Sequence, residues 1–367
     1  MFSPSSHTAL KYMFKYGELL NVIPFEWNSD SNTVSFTKSK VRLRIFTFIT
    51  CYMWLESLYQ FRVLYLEGGN DPVSESYLKI VAHFVSRLLA TIYQTWGLFL
   101  NNKYSSLFNQ LFRVNQFFQG VSRKRSKVAR NQIDRCSNNL WVILVICVIQ
   151  PLTVMFAYIL DYQDRKYWQS HVPGILYPYV IPLFALDELV LSIYSLLGVT
   201  VIVCPVFIQT VLTAEWLQIV RDNTESGYFC HYYRILQLFN KSFNEAYSFI
   251  TGYAIITLFL ITALTSTSAV RLYNKLAFPA NLMFPIGEIL LIWAVIFIMR
   301  PGAHLKHLSD EIIKEYGASA QKKRRAAGRS LKSLRIEICS NFILKNSTVS
   351  TYLSEAANAT VIVLLMT

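Results

Sequence analysis

The sequence predicts an all-α membrane protein with seven transmembrane helices, its N-terminus cytoplasmic and its C-terminus extracellular. Three observations carry this. The 367 residues are 53% hydrophobic and only 16% charged, where a soluble domain carries about 25% charged residues. Seven segments reach the roughly 20 mostly apolar residues that a crossing helix needs. The chain is also strongly basic, +13 from 35 Lys+Arg against 22 Asp+Glu, and those cations fall unevenly between the segments.

Residues 1–44 lack the basic, apolar and small-residue order of a cleaved leader. They read as a cytoplasmic arm with an amphipathic stretch (Leu10, Met13, Phe14, Leu19, Leu20). The spans follow at 45–66, 80–101, 139–160, 175–212, 247–270, 280–299 and 343–366. Pro178 and Pro182 fall in the first turns of the fourth, and Pro205 predicts a kink further along it, because proline removes a backbone donor. The first six spans form one unit, 45–299, with cytoplasmic loops at 102–138 and 213–246. A basic cytoplasmic segment, 300–342, precedes the last span, 343–367. No internal repeat interrupts this order.

Orientation follows from charge. The arm, the loops after the second and fourth spans and segment 300–342 together hold 27 of the 35 basic residues. They include Lys322, Lys323, Arg324 and Arg325. The opposite side holds 5. Short cytoplasmic loops carry the Lys/Arg excess, so the N-terminus lies inside. A cationic surface facing anionic lipid accounts for the charge, and no nucleic-acid partner is expected. The plasma membrane is the expected location.

Catalysis finds no support. The sequence has no GxSxG, HExxH or P-loop. The six histidines are scattered, and no Cys/His cluster has zinc spacing. Neither a cofactor nor a metal is expected. All six cysteines fall in spans or cytoplasmic segments, so no extracellular disulfide is expected.

Ionisable groups inside a membrane are costly and mark functional positions. Here they are Glu56, Arg62, Arg87, Asp187, Glu188, Glu288 and Glu355. Arg87 and Glu288 fall at similar depth in the outer halves of their spans, where they either pair or face a cavity. Aromatic and polar residues in the same halves complete a ligand-site set: Tyr93, Gln94, Trp96, Asp187, Tyr194, Tyr253, Thr257 and Glu288. Pockets between helices have this composition, and so do packing locks and interfacial aromatic belts.

The last span is rich in small and hydroxyl residues. Helical spacing places Tyr352, Ala356, Thr360, Val363 and Thr367 on one stripe with Glu355 beside it. Such a stripe suits a close helix interface or a pore wall closed by an apolar constriction. Glu355 would lie about 18 Å below the outer end at 1.5 Å per residue, where a carboxylate ring attracts cations.

Seven spans, a cytoplasmic N-terminus, a basic segment before the last span and the stretch SLKSLRIEICSNFILKNSTVSTYL resemble the arthropod gustatory and odorant receptor superfamily. The gustatory branch ends in TY, five apolar residues and QF. This chain is similar in spacing: Ala359-Thr360, then Val361 to Leu365, then Met366-Thr367, with all four marker residues changed. The resemblance implies a gustatory-type receptor in a sensory neuron, acting as a ligand-gated cation channel. It implies a homo- or hetero-tetramer with related subunits, a small-molecule tastant or odorant bound in the outer half of the first six helices, and a central pore lined by the seventh. Carried over by position, Val363 is the gate residue, Met366 stands at the Gln position and Thr367 at the Phe position. Glu355, Ala356 and Thr360 line the rest of the path. An odorant receptor of the same superfamily is the alternative within it. A G-protein-coupled receptor requires the opposite orientation, and a small-solute transporter often carries internal repeats.

Overall fold

The computed structural model describes residues 3–29, 31–67, 75–123, 135–160, 167, 176–224, 227–272, 283–318, 321–339 and 342–365. Met366 and Thr367 lie outside these, as do Lys124, Arg125 and Lys127. Among the described residues there are nine helices and two short hairpins.

Helix α1 (Pro4–Leu19) starts on Ser3, whose hydroxyl accepts from the Ser6 amide at 3.0 Å, with proline at the first turn. It buries Ala9, Leu10, Met13 and Phe14, whereas Leu19 is 74% exposed. Strands β1 (Phe25–Asn28) and β2 (Thr33–Phe36) pair antiparallel with Phe25 opposite Phe36. The helical reading of the arm missed this hairpin. Its signal was period-two alternation, Phe25 and Trp27 against Val34 and Phe36, around a polar turn.

Seven long helices follow the arm: α2 (Lys40–Glu67), α3 (Glu75–Arg123), α4 (Arg135–Leu160), α5 (Tyr177–Arg221), α6 (Phe229–Leu272), α7 (Met283–Gly317) and, last in the chain, α9 (Asn346–Leu365). The described residues of each expected span fall largely on one of them, with 175, 280–282 and 366 outside the described residues. Four contain stretches long and apolar enough to cross a membrane by length and composition: Cys136–Leu160, Tyr179–Arg221, Phe229–Arg271 and Asn346–Leu365. Helices α2, α3 and α7 carry Glu56, Arg87 and Glu288, and such charges lower the mean hydropathy of an otherwise apolar window. The segments expected as loops are largely helical, since α3, α5, α6 and α7 run well past their apolar parts. Asn101, at the end of the second expected span, leaves helical geometry at φ 38° and kinks α3 there.

Side-chain pairs fix the helix directions. Trp54 Nε1 donates to Thr95 Oγ1 at 3.0 Å, and Phe61 meets Phe84 at 6.0 Å, so α2 and α3 are antiparallel. Trp96 stacks on Phe249 and Tyr93 meets Tyr253 edge-on, so α3 and α6 are antiparallel too. Tyr352 bonds Thr262 at 3.2 Å and Arg271 reaches the Leu364 carbonyl, so α9 runs parallel to α6.

One end of the bundle gathers the helix extensions. There Arg221 of α5 forms a bidentate pair with Glu315 of α7, and Phe229 stacks on Tyr316 at 4.0 Å. The Tyr233 phenol donates to the Lys332 carbonyl at 3.1 Å. Helix α8 (Lys322–Ser330) packs on α7, and a strap, described over 331–339 and 342–345, returns across α6 through strands β3 (Glu337–Ile338) and β4 (Phe342–Ile343).

The arm is tied to the same part of the fold by Ser5, whose hydroxyl meets Ser137 at 2.6 Å and Trp141 at 3.2 Å on α4. His7 packs edge-on against Trp27 at 5.2 Å and tilted against Phe112 at 6.0 Å. Burial, then the nearby Lys11 charge, hold its pKa below the ordinary value. A lowered histidine pKa means that the unfolded arm binds the proton first, so stability is complete above pH about 6.5 and falls as the pH drops towards the folded pKa. Acidification from pH 7 to 5 is expected to loosen the arm, read as a Trp27 emission change that His7→Gln abolishes.

Candidate functional sites in the helix bundle

The eight residues expected to form a ligand site occupy three places. Six of them, on α3, α5 and α6, make one layer. Gln94 Nε2 donates to the Tyr194 carbonyl at 2.5 Å, across the gap left by Gly198. Tyr93 and Tyr253 rings meet edge-on at 5.8 Å. Trp96 stacks on Phe249 at 5.2 Å, and the Thr257 hydroxyl donates back to the Tyr253 carbonyl at 2.8 Å. Tyr93, Gln94 and Tyr194 are each buried to 3% exposure or less.

This layer lies towards the arm end of the bundle. The Tyr194 hydroxyl donates to the carbonyls of Leu20 and Asn21 at 3.2 and 2.9 Å. One turn from Tyr253, the Ser248 carbonyl accepts the Cys339 amide of the strap at 2.9 Å. The sequence placed these residues in the outer half by counting along each span. The contacts bring them within reach of the arm and the strap, because the helices run on past their apolar stretches.

Asp187 belongs to a second group, seven residues up α5 from Tyr194, or about 10 Å along the axis. It accepts from Tyr52 at 2.8 Å. The adjacent Glu188 is paired with Arg87 of α3. Arg87 also donates to Ser195 at 3.3 Å, and its Nε lies 3.8 Å from Glu56 of α2. Gln60 donates to Glu56 at 3.2 Å, and His83, one turn from Arg87, approaches Glu56 at 3.9 Å. Glu56, Arg87 and Glu188 are 6%, 4% and 2% exposed. Buried charges persist where they are paired and hydrogen-bonded, and this network does so between α2, α3 and α5. The partner of Arg87 is thus Glu188 rather than Glu288. Among the described residues, Glu56, His83 and Glu188 also form a group whose ligand atoms all lie within 4.8 Å of one another, close enough to converge on a metal ion. Histidine entered the sequence reading only as a scattered residue. The signal for His83 was its i,i+4 spacing to Arg87, which puts both on one helix face.

Glu288 is the third place. It sits on α7 at the seam with α6 and α9, where Ser266 hydrogen-bonds it and Tyr352 lies nearby.

Helix α9 presents two faces. Tyr352, Ala356 and Thr360 are buried against the bundle, with Tyr352 edge-on to Phe259. Of the two roles the sequence left open for this stripe, it takes the packed interface as far as Thr360, and Val363 is half-buried. Small residues there let α9 approach α6 closely. The opposite face is exposed: Thr351, Ser354, Glu355 and Asn358, followed by Val361, Ile362 and Leu365. It is polar for two turns and then apolar.

No protein-family model matches the chain, and no curated protein is similar to it in sequence. Its three-dimensional structure is similar to that of the insect olfactory receptor OR5 from Machilis hrabei in complex with eugenol. That match has a TM-score of 0.63 at 10% identity and covers 99% of this chain and 100% of the receptor. A second structure of the same receptor matches with a TM-score of 0.63 at 11% identity, over 98% of this chain and 100% of the receptor. Across the whole length of both chains, this protein has the fold of an insect olfactory receptor.

Proposed function

We propose that the chain is a chemosensory receptor of the plasma membrane that works as a ligand-gated cation channel. The carrying observation is the end-to-end structural likeness to a receptor solved with a small aromatic ligand. The seven long helices span the membrane, with the cationic end of the bundle, and so the N-terminus, in the cytoplasm. Four subunits surround a pore, each offering α9. The exposed face of α9 supports this assignment, since its polar part suits a water-filled path and its apolar end suits a constriction. Glu355 faces the path, while Ala356 and Thr360 seat α9 on its own bundle and Val363 lies at the edge of the constriction. A tastant is the proposed ligand class, from the spacing of the C-terminal motif. An odorant is the second reading, favoured by the olfactory receptor structures.

Expression in a non-sensory cell tests the proposal, with currents recorded against sugars, bitter compounds and volatiles. An agonist-evoked cation current supports it, and the agonist class separates taste from smell. Surface-expressed protein that gives no current to any class, or only a second-messenger response, overturns it. In the responding channel, Glu355→Gln is expected to reduce single-channel conductance for cations severalfold while leaving the agonist concentration dependence in place. An unchanged conductance removes Glu355 from the path.

A further inference from the structure

We propose that Glu56, His83 and Glu188 form a binding site for a divalent transition-metal ion of the zinc kind. The three side chains come from α2, α3 and α5, and one ligand atom of each lies within 4.8 Å of the others. Charge gives the first argument. Two buried carboxylates, Glu56 and Glu188, with the half-buried Asp187 beside them, stand against one guanidinium, Arg87. Unbalanced negative charge in a low-dielectric interior is costly, and a bound cation removes the imbalance.

The donor set gives the second. Two carboxylate oxygens and an imidazole nitrogen suit zinc and its neighbours, whereas magnesium and calcium take oxygen alone. Metal–ligand bonds of about 2.0–2.2 Å place neighbouring donor atoms about 3.4 Å apart in a tetrahedron, so the three groups need close by little more than an ångström.

A third argument lies in the atoms left over. Glu56 Oε2 is fully buried and has no hydrogen-bond partner among the described residues, while Oε1 of the same carboxylate faces His83, Arg87 and Gln60. Arg87 engages Glu188 through Oε2, so the ion is assigned to Oε1 of that carboxylate. Gln60 and Arg87 then act from outside the ligand set, orienting the two carboxylates. Access is past the imidazole, since the His83 side chain is 15% exposed against 5% and 3% for Glu56 and Glu188.

The test is zinc binding to the purified full chain in detergent, by equilibrium dialysis and elemental analysis, and does not depend on the channel reading. His307 and Glu311 form an exposed i,i+4 pair at 3.6 Å, a second imidazole–carboxylate donor set, so the measurements use a His307→Ala background. One zinc ion per chain is expected there, not displaced by excess magnesium. Affinity is expected to fall about tenfold or more in His83→Ala and in Glu56→Gln, and to be largely kept in His83→Cys, whose thiolate is also a zinc ligand. Each variant is compared at equal size-exclusion profile, and His83 at its partly exposed edge is the replacement least able to disturb the fold. Loss of all zinc with His307→Ala, or undiminished binding in His83→Ala, overturns the site. So does a protonated cluster that binds no metal.

Discussion

Replacing Arg87 with alanine is expected to destabilise the helix bundle by about 3–5 kcal/mol, the cost of breaking a buried ion pair from one side. Arg87 is the one described guanidinium among Glu56, Asp187 and Glu188 within this group. Its removal leaves carboxylates from two different helices facing each other without a counter-charge. Its planar fork also serves Glu188 and Ser195 together, so Arg87→Lys keeps the charge but loses one of the two directions. It should fall between wild type and alanine. Adding Glu188→Gln to Arg87→Ala removes half of the uncompensated pair and should recover part of the loss, which a double-mutant cycle reads as coupling. The measurement is the melting temperature of detergent-solubilised protein by size exclusion after heating, with chelator present to exclude any metal contribution. If Arg87→Ala melts with wild type, the network does not hold α2, α3 and α5 together.

That network also shows where sequence reasoning stops. Helices α4, α5, α6 and α9 were legible because an apolar run of membrane length announces itself without knowledge of its neighbours. Arg87, Glu56 and Glu188 were legible as costly positions, for the same one-dimensional reason. The pairing was not, because which carboxylate meets Arg87 depends on the relative height and rotation of three helices. Counting depth from the span ends offered Glu288 as one possible partner for Arg87, but Glu288 lies on another seam. The Tyr194 layer's contacts to the arm were beyond sequence reasoning for the same reason. Its helices continue beyond the apolar stretch, so a residue in the middle of the hydrophobic run meets the arm at Leu20 and Asn21. In α9 the stripe of small residues was correctly picked out, but small residues serve a packed interface as well as a pore. Spacing alone does not choose between the two; the Tyr352–Thr262 bond shows that this stripe faces α6.

Gly252→Ala is expected to loosen the strap that leads into α9, by about 1–3 kcal/mol as for other overpacked sites. Gly252 lies on α6 where the strap crosses. A methyl group there would run into Cys339 Sγ, and would stand 3.1 Å from Ile338 Cγ2 and 3.4 Å from the Cys339 amide. That amide cannot retreat cheaply, since it is bonded to the Ser248 carbonyl at 2.9 Å and Cys339 already sits at φ 49°. Around it the strap is laced to α6 by Asn240 and Asn244, which donate to the Arg335 carbonyl at 3.0 and 2.9 Å. In a free helix, glycine to alanine gains about 0.5–1 kcal/mol, so a net loss isolates the clash. Cys339→Gly removes the sulfur and relaxes the positive φ. Combined with Gly252→Ala it should restore stability to the level of Cys339→Gly alone or above. Additive losses in the double variant would mean that the two positions do not press on each other, and that the strap is held by its asparagine bonds alone. A coupled rescue instead makes Gly252 the contact that sets how α9 leaves the bundle. Under the channel reading, the same substitution then weakens agonist-evoked current without touching a single residue of the α9 exposed face.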